Sequence, residues 1–167
     1  MTNGFARTPR DGQRPLHVTF VCTGNICRSP IARIVYQAAV DDAGLSDRVR
    51  VTSAGTSGWH AGDPADPRAR EVLAAHGYPT DHTATEVGDD HLAADLVVAL
   101  HTSHVHELRA LGVPDERLRL LRSFDPAAPV PDVPDPYYGQ LEDYETTLAQ
   151  VEASMPGLMT WTRGNIG

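Results

Sequence analysis

Cys22 and Cys27 are the chain's two cysteines, and both lie in one short run, Cys22-Thr23-Gly24-Asn25-Ile26-Cys27-Arg28-Ser29. Five residues separate the Cys22 thiol from the Arg28 guanidinium. A loop of that length can curl so that its backbone N–H groups face inward and cradle an anion. Gly24 and Asn25 tolerate the positive φ that such a curl needs. Arg28 adds a planar fork matched to two phosphate oxygens. Cys22 would lie at the bottom, where the N–H groups, the following helix N-terminus and Arg28 all favour a thiolate. A Ser29 hydroxyl aimed at the sulfur would help further. A thiolate under a tetrahedral oxyanion is set up for in-line attack on phosphorus. The loop is not a Walker A sequence, since no Lys occurs in the chain. Nor is it a zinc pair, because a second pair of ligands is missing.

Attack of a thiol on a phosphate ester leaves an alkoxide or phenoxide that needs a proton. Asp135, in Asp135-Pro136-Tyr137-Tyr138, is the candidate acid. It lies near the end of a stretch, residues 123–136, with five prolines that would stiffen it. Tyr137 and Tyr138 could wall a cleft around an aryl group.

These residues need elements to place them. Leu16–Val21 reads as a buried parallel strand running straight into the cysteine loop. Ser29-Pro30 looks like an N-cap with Pro at the first helical position, and the helix carries Ile31, Ile34, Val35, Ala38 and Ala39 up to Gly44. Further strands are expected over 48–54, 95–100 and 117–121. Helices are expected from Asp66-Pro67 to near Gly77, over 102–111, and along Leu141, Tyr144, Leu148, Val151 and Met155. This alternation predicts an α/β, three-layer fold, a four-stranded parallel sheet flanked by helices on both faces. Sites in such sheets lie beyond the carboxyl ends of strands, which is where the cysteine loop falls.

The 167 residues suit a single domain over 15–167, preceded by a polar, flexible tail over 1–14. All 14 basic residues are Arg, against 22 acidic ones, a net charge of -8. That balance argues against a nucleic-acid or anionic-membrane partner, but not against an anion in one pocket. No signal peptide or membrane span is evident, so a cytoplasmic protein is expected, with monomer as the default. His101, His104 and His106 read as a solvated cluster, with no third ligand evident for a metal.

The run Val21–Pro30, together with Asp135-Pro136-Tyr137-Tyr138-Gly139, resembles the low-molecular-weight protein tyrosine phosphatases, most closely their bacterial, actinobacterial-like branch. Ser53-Ala54-Gly55-Thr56 and Asp66-Pro67-Arg68 match that family too, and the likeness spans about residues 16–157. The resemblance implies hydrolysis of phosphotyrosine or other aryl phosphates through a phosphocysteine, without metal or cofactor. Cys22 is then the nucleophile and Arg28 holds the phosphoryl oxygens. Asp135 protonates the leaving phenol and later activates water. Thr23, Gly24, Asn25, Ile26, Cys27, Arg28 and Ser29 form the phosphate loop, which would also take inorganic phosphate or similar oxyanions. Asn25 and Ser29 support the loop and thiolate. Cys27 is the redox-protective partner of Cys22, or else a small buried residue. Ile26, Trp59, Tyr137 and Tyr138 line the substrate cleft. Where many relatives carry Asp, this chain has His101, leaving that role unfilled.

Two related reactions compete on this fold. A phosphoarginine phosphatase resembles this chain but with Thr at the place of Ile26, whose apolar face suits a phenyl ring. A thioredoxin-coupled arsenate reductase needs relay cysteines beyond Cys27. A phosphotyrosine-binding module without activity should have lost Cys22, Arg28 or Asp135, and all three are present.

Overall fold

The computed structural model describes residues 14–166, so the tail expected over 1–14 lies almost wholly outside the described residues. Four parallel strands form one sheet in the order β2-β1-β3-β4. They are β1 Leu16–Cys22, β2 Val49–Gly55, β3 Leu96–Ala99 and β4 Leu118–Leu120. Among the described residues five α-helices accompany them: α1 Arg28–Asp42, α2 Pro67–Ala75, α3 Asp89–Leu92, α4 Thr102–Ala110 and α5 Leu141–Asn165. This is the expected fold class. Strand β1 is buried along its whole length, which its β-branched, apolar run anticipates. It pairs with β2 on one side and β3 on the other, so the chain reverses its direction of winding at β1. The crevice beyond the carboxyl end of β1 is therefore the switch point where ligands bind in such sheets.

Alternation along β1 sorts its side chains. Leu16, Val18, Phe20 and Cys22 face the larger core, with Ile31, Val35 and Tyr36 of α1 and Tyr144, Leu148 and Val151 of α5. Val21 faces the smaller core, with Val97 and Ala99 of β3, Val105 and Leu108 of α4, and Leu92 of α3. At each buried Leu or Val the transfer of apolar surface from water contributes about 1.5–3 kcal/mol. Phe20 meets Tyr36 edge to face at 5.5 Å, and the Tyr36 hydroxyl bonds Thr162 Oγ1 at 2.7 Å, tying α1 to the end of α5.

Three local expectations change. Helix α1 begins at Arg28, with Cys27 at its N-cap and no side-chain cap, so Ser29 is not the cap and Pro30 is not the first residue. The Ser29 hydroxyl is used elsewhere, as shown below. Helix α3 has four residues, too few to leave a periodic signal. Helix α5 runs past Met155 through Pro156 to Asn165. Gly157 admits this length: a Cβ there would overlap the Phe124 carbonyl oxygen of the turn packed against it.

Candidate active site

Strand β1 ends at Cys22, 2% exposed, and the chain then curls. Asn25 takes the left-handed conformation, φ 56°; Gly24, expected to share it, does not. The curl is fastened from outside. Thr56 N–H donates to Cys22 O at 2.9 Å, Ser57 N–H to Thr23 O at 3.0 Å, and Asp66 N–H to Ile26 O at 2.9 Å. His82 Nε2 donates to Asn25 O at 2.7 Å. Burial holds the His82 imidazole down to about 4, so it is neutral and carries its proton on that nitrogen. Because each trans peptide sets N–H opposite C=O, carbonyls drawn outward turn the intervening N–H groups inward. Gly55 makes the close approach possible, since a Cβ on it would lie 2.6 Å from Thr23 O.

Asn25 sets a short relay. Thr85 N–H is a donor, so Asn25 Oδ1 must face it, at 3.0 Å. That leaves Asn25 Nδ2 to donate to Ser29 Oγ at 2.7 Å and Ser53 Oγ at 3.0 Å. Ser29 Oγ accepts there, which frees its proton for Cys22 Sγ, 2.9 Å away. A hydroxyl donating to sulfur stabilises the thiolate over the thiol.

Arg28 is 4% exposed and is held by the loop that precedes α5. Its NH1 donates to Val133 O at 3.0 Å; its NH2 lies 3.7 Å from Asp135 Oδ2. Asp135 is half-exposed and turns back on its own loop, accepting from Tyr137 N–H at 3.1 Å. This Asx turn, with Pro136 between, fixes where the carboxyl points. Cys22, Arg28 and Asp135 thus line one cleft of about 380 Å3, with Thr23, Gly24, Ile26, Cys27, Trp59, Tyr137 and Tyr138. Trp59 and Tyr138 are 87% and 91% exposed, so they stand at the mouth rather than inside. Ser57 and His60 also line it. Neither is announced by the sequence, where a single His beside a Trp gives no signal of its own.

Cys27 is buried, and its Sγ lies 3.3 Å from the Tyr144 hydroxyl. Burial pushes its thiol up to about 12, with the Tyr144 hydrogen bond working the other way. The two cysteines of the loop therefore have different surroundings: the Cys22 sulfur meets a serine donor, the Cys27 sulfur an apolar wall and a phenol.

The histidine expectation needs correction. His104 is not solvated but fully buried. Its Nε2 meets Thr23 Oγ1 at 2.9 Å, and burial together with Arg28 lowers it to about 3. His101 caps α4, its Nδ1 accepting from Ser103 N–H at 3.0 Å. Asp132, supplied from the proline-rich stretch, accepts from Thr102 N–H at 2.7 Å and lies 3.4 Å from His101 Nε2. Among the described residues no group of three or more His, Cys, Asp or Glu is placed to hold a metal.

A parallel α/β sheet with a buried thiol and a guanidinium in one loop at its switch point defines a class of oxyanion-binding proteins. The family model described as low molecular weight phosphotyrosine protein phosphatase matches residues 17–165. Low molecular weight protein-tyrosine phosphatase A of Mycobacterium bovis is 58% identical over 149 residues, which cover 88% of this chain and 91% of that protein. The low molecular weight protein-tyrosine-phosphatase of Streptomyces coelicolor is 51% identical, covering 89% of this chain and 94% of that one. Among solved structures, a protein tyrosine phosphatase from Entamoeba histolytica with Hepes in its active site matches with TM-score 0.82 and 30% identity, over 87% of this chain and 95% of that chain. The chain belongs to the low molecular weight phosphotyrosine protein phosphatase family. It is an enzyme of that class, a cysteine-dependent protein-tyrosine phosphatase.

Proposed function

We propose that the chain hydrolyses phosphotyrosine in proteins, and other aryl phosphates, in two steps at Cys22. The Cys22 thiolate attacks phosphorus; the S–P bond forms as the aryl O–P bond breaks, and Asp135 gives its proton to the departing phenoxide. Water then attacks the phosphocysteine while Asp135 takes a proton, inorganic phosphate leaves, and the thiolate returns. Arg28 and the inward N–H groups of the loop hold the phosphoryl oxygens through both steps. The observation that carries this reading is the relay ending at Cys22 Sγ, with Ser29 Oγ at 2.9 Å under a cleft that Arg28 and Asp135 also line.

Ile26, Tyr137 and the exposed Trp59 and Tyr138 offer apolar surface to a phenyl ring. A panel of phosphotyrosine, phosphoserine and phosphoarginine peptides tests this. Phosphotyrosine should turn over fastest by at least about tenfold, since a short phosphoserine cannot bring phosphorus down to the sulfur. Faster turnover of phosphoarginine would overturn the assignment.

Cys27 protects the nucleophile. Peroxide converts Cys22 to a sulfenic acid, which condenses with the Cys27 thiol, releasing water and forming a disulfide that a reductant reopens. Because Cys27 is buried against Tyr144, it must leave that contact to react. A nucleophilic thiol has to stay reduced between turnovers, which suits a reducing, cytoplasmic compartment. No helix among the described residues is long and apolar enough to cross a membrane.

A further inference from the structure

Asp135 sits on a segment without regular structure between a short turn ending at Phe124 and the start of α5 at Leu141. A general acid works only if its carboxyl is within hydrogen-bond reach of the leaving oxygen. Something must therefore hold this loop on both sides of Asp135. On the upstream side the anchors are clear. Val133 N–H donates to Leu100 O at 2.8 Å, Arg28 to Val133 O, and Arg122 to Asp132 O at 2.9 Å.

On the downstream side the anchor is Arg68. Its NH2 donates to Tyr137 O at 2.9 Å and its NH1 to Gly139 O at 3.0 Å. Arg68 belongs to the first turn of α2 and does not line the cleft. Its guanidinium is set by Asp66, which takes Nε at 3.0 Å and NH2 at 3.0 Å, and by the Tyr144 ring, 4.7 Å from Cζ. Both neighbours lead back to the phosphate loop. The Asp66 N–H holds Ile26 O, and the Tyr144 hydroxyl meets Cys27 Sγ. The neighbours of one side chain thus join the loop carrying the nucleophile to the loop carrying the acid.

We propose that Arg68 is the positioning residue of the general acid: its fork clamps the Tyr137 and Gly139 carbonyls and, braced by Asp66, sets Asp135 over the phosphate loop. The inference rests on the role given to Asp135 above. A lysine cannot replace the fork. The guanidinium meets these acceptors from three separate nitrogens, whereas the three donors of an ammonium all sit on one nitrogen and cannot reach both carbonyls and the carboxylate from a single point.

The test uses the full chain with Arg68→Ala, Arg68→Lys, Asp135→Asn, and Arg68→Ala combined with Asp135→Asn. Each is measured on phenyl phosphate and p-nitrophenyl phosphate, with inorganic phosphate as competitive inhibitor. Proton donation matters most for the poorer leaving group. Arg68→Ala should lower kcat on phenyl phosphate on the order of 10- to 100-fold, with a loss several-fold smaller on the nitrophenyl ester. Phosphate inhibition should stay within about twofold, because the phosphate loop keeps its own bonds. In the double variant, Arg68→Ala should add almost nothing to Asp135→Asn on phenyl phosphate. Arg68→Lys keeps the charge and the stem against Tyr144, so it retains the fold if the alanine does not, and it should show the same selective loss. Equal losses on both esters, additive losses in the double variant, or phosphate binding lost in parallel would overturn the inference. If Asp135→Asn alone slows both esters equally, the assignment of the acid itself fails. If it is selective and the Arg68 variants are not, only the role of Arg68 fails.

Discussion

At the residue scale, Asn25 carries more than its place in a turn suggests. It accepts from Thr85 N–H, donates to Ser29 and Ser53, and holds the left-handed turn. Asn25→Ala deletes a fully buried side chain, removes the acceptor of Thr85 N–H and frees the Ser29 hydroxyl to rotate away from sulfur. A loss of about 1–3 kcal/mol in stability is expected from chemical denaturation, together with a fall in kcat on p-nitrophenyl phosphate larger than any change in KM. An unchanged kcat would show that the serine needs no such support. Cys27→Ser should leave turnover within about threefold yet make peroxide inactivation irreversible by reductant. Recovery equal to wild type would remove the protective role. That Cys22, Arg28 and Asp135 come together in one cleft was legible because Cys22, Arg28 and Ser29 lie in one short run and Asp135 in another. Arg68 matched the family pattern, but its work was hidden: its partner Gly139 lies 71 residues along the chain, a distance no local pattern spans. His104 was misread for a related reason, since polar residues near a helix start are ordinarily wet and only the packed fold buries this one.

At the element scale, the active loop depends on how closely β2 follows β1. Their registers match from Leu16 against Val49 to Cys22 against Gly55, and the last pair brings Gly55 under the Thr23 carbonyl. Gly55→Ala would set a Cβ against three backbone atoms, of Thr23, Ser57 and Gly24, all within 3.1 Å. None of these is a flexible side chain that can swing aside. The phosphate loop must shift, at about 1–3 kcal/mol, and phosphate inhibition should weaken along with kcat/KM. A variant that binds phosphate as wild type does would contradict the close approach. The strands and the long helices were readable from apolar runs and 3.6-residue spacing. Their ends were not: β3 and β4 are shorter than the apolar stretches that announced them, because pairing with β1 and with each other sets their length.

At the scale of the whole molecule, loss of hydration holds His17, His82 and His104 well below the ordinary imidazole value. Burial, aided by Arg50, holds His17 down to about 4. Burial lowers His82 to about 4 against the opposing Asn25 carbonyl, and burial with Arg28 lowers His104 to about 3. Unfolded, each takes up a proton near the ordinary value of 6.5. Between that value and about 4 the unfolded chain binds more protons than the folded one, so stability falls as pH drops through this window and is fully present above it. Urea midpoints at pH 7.5 and pH 5 should show the lower value at pH 5; equal midpoints, or a higher one at pH 5, would mean that these rings are protonated in the fold. The proposed catalysis comes down to one covalent bond, between the Cys22 sulfur and phosphorus. Rapid acid quenching of Asp135→Asn during turnover of p-nitrophenyl phosphate, followed by peptide mass spectrometry, reads that bond directly. One phosphoryl group should be found on the peptide containing Cys22, located on its sulfur, and none should form in Cys22→Ser, which should also be inactive. A phosphoryl group on any other side chain, or turnover retained by Cys22→Ser, would contradict the account.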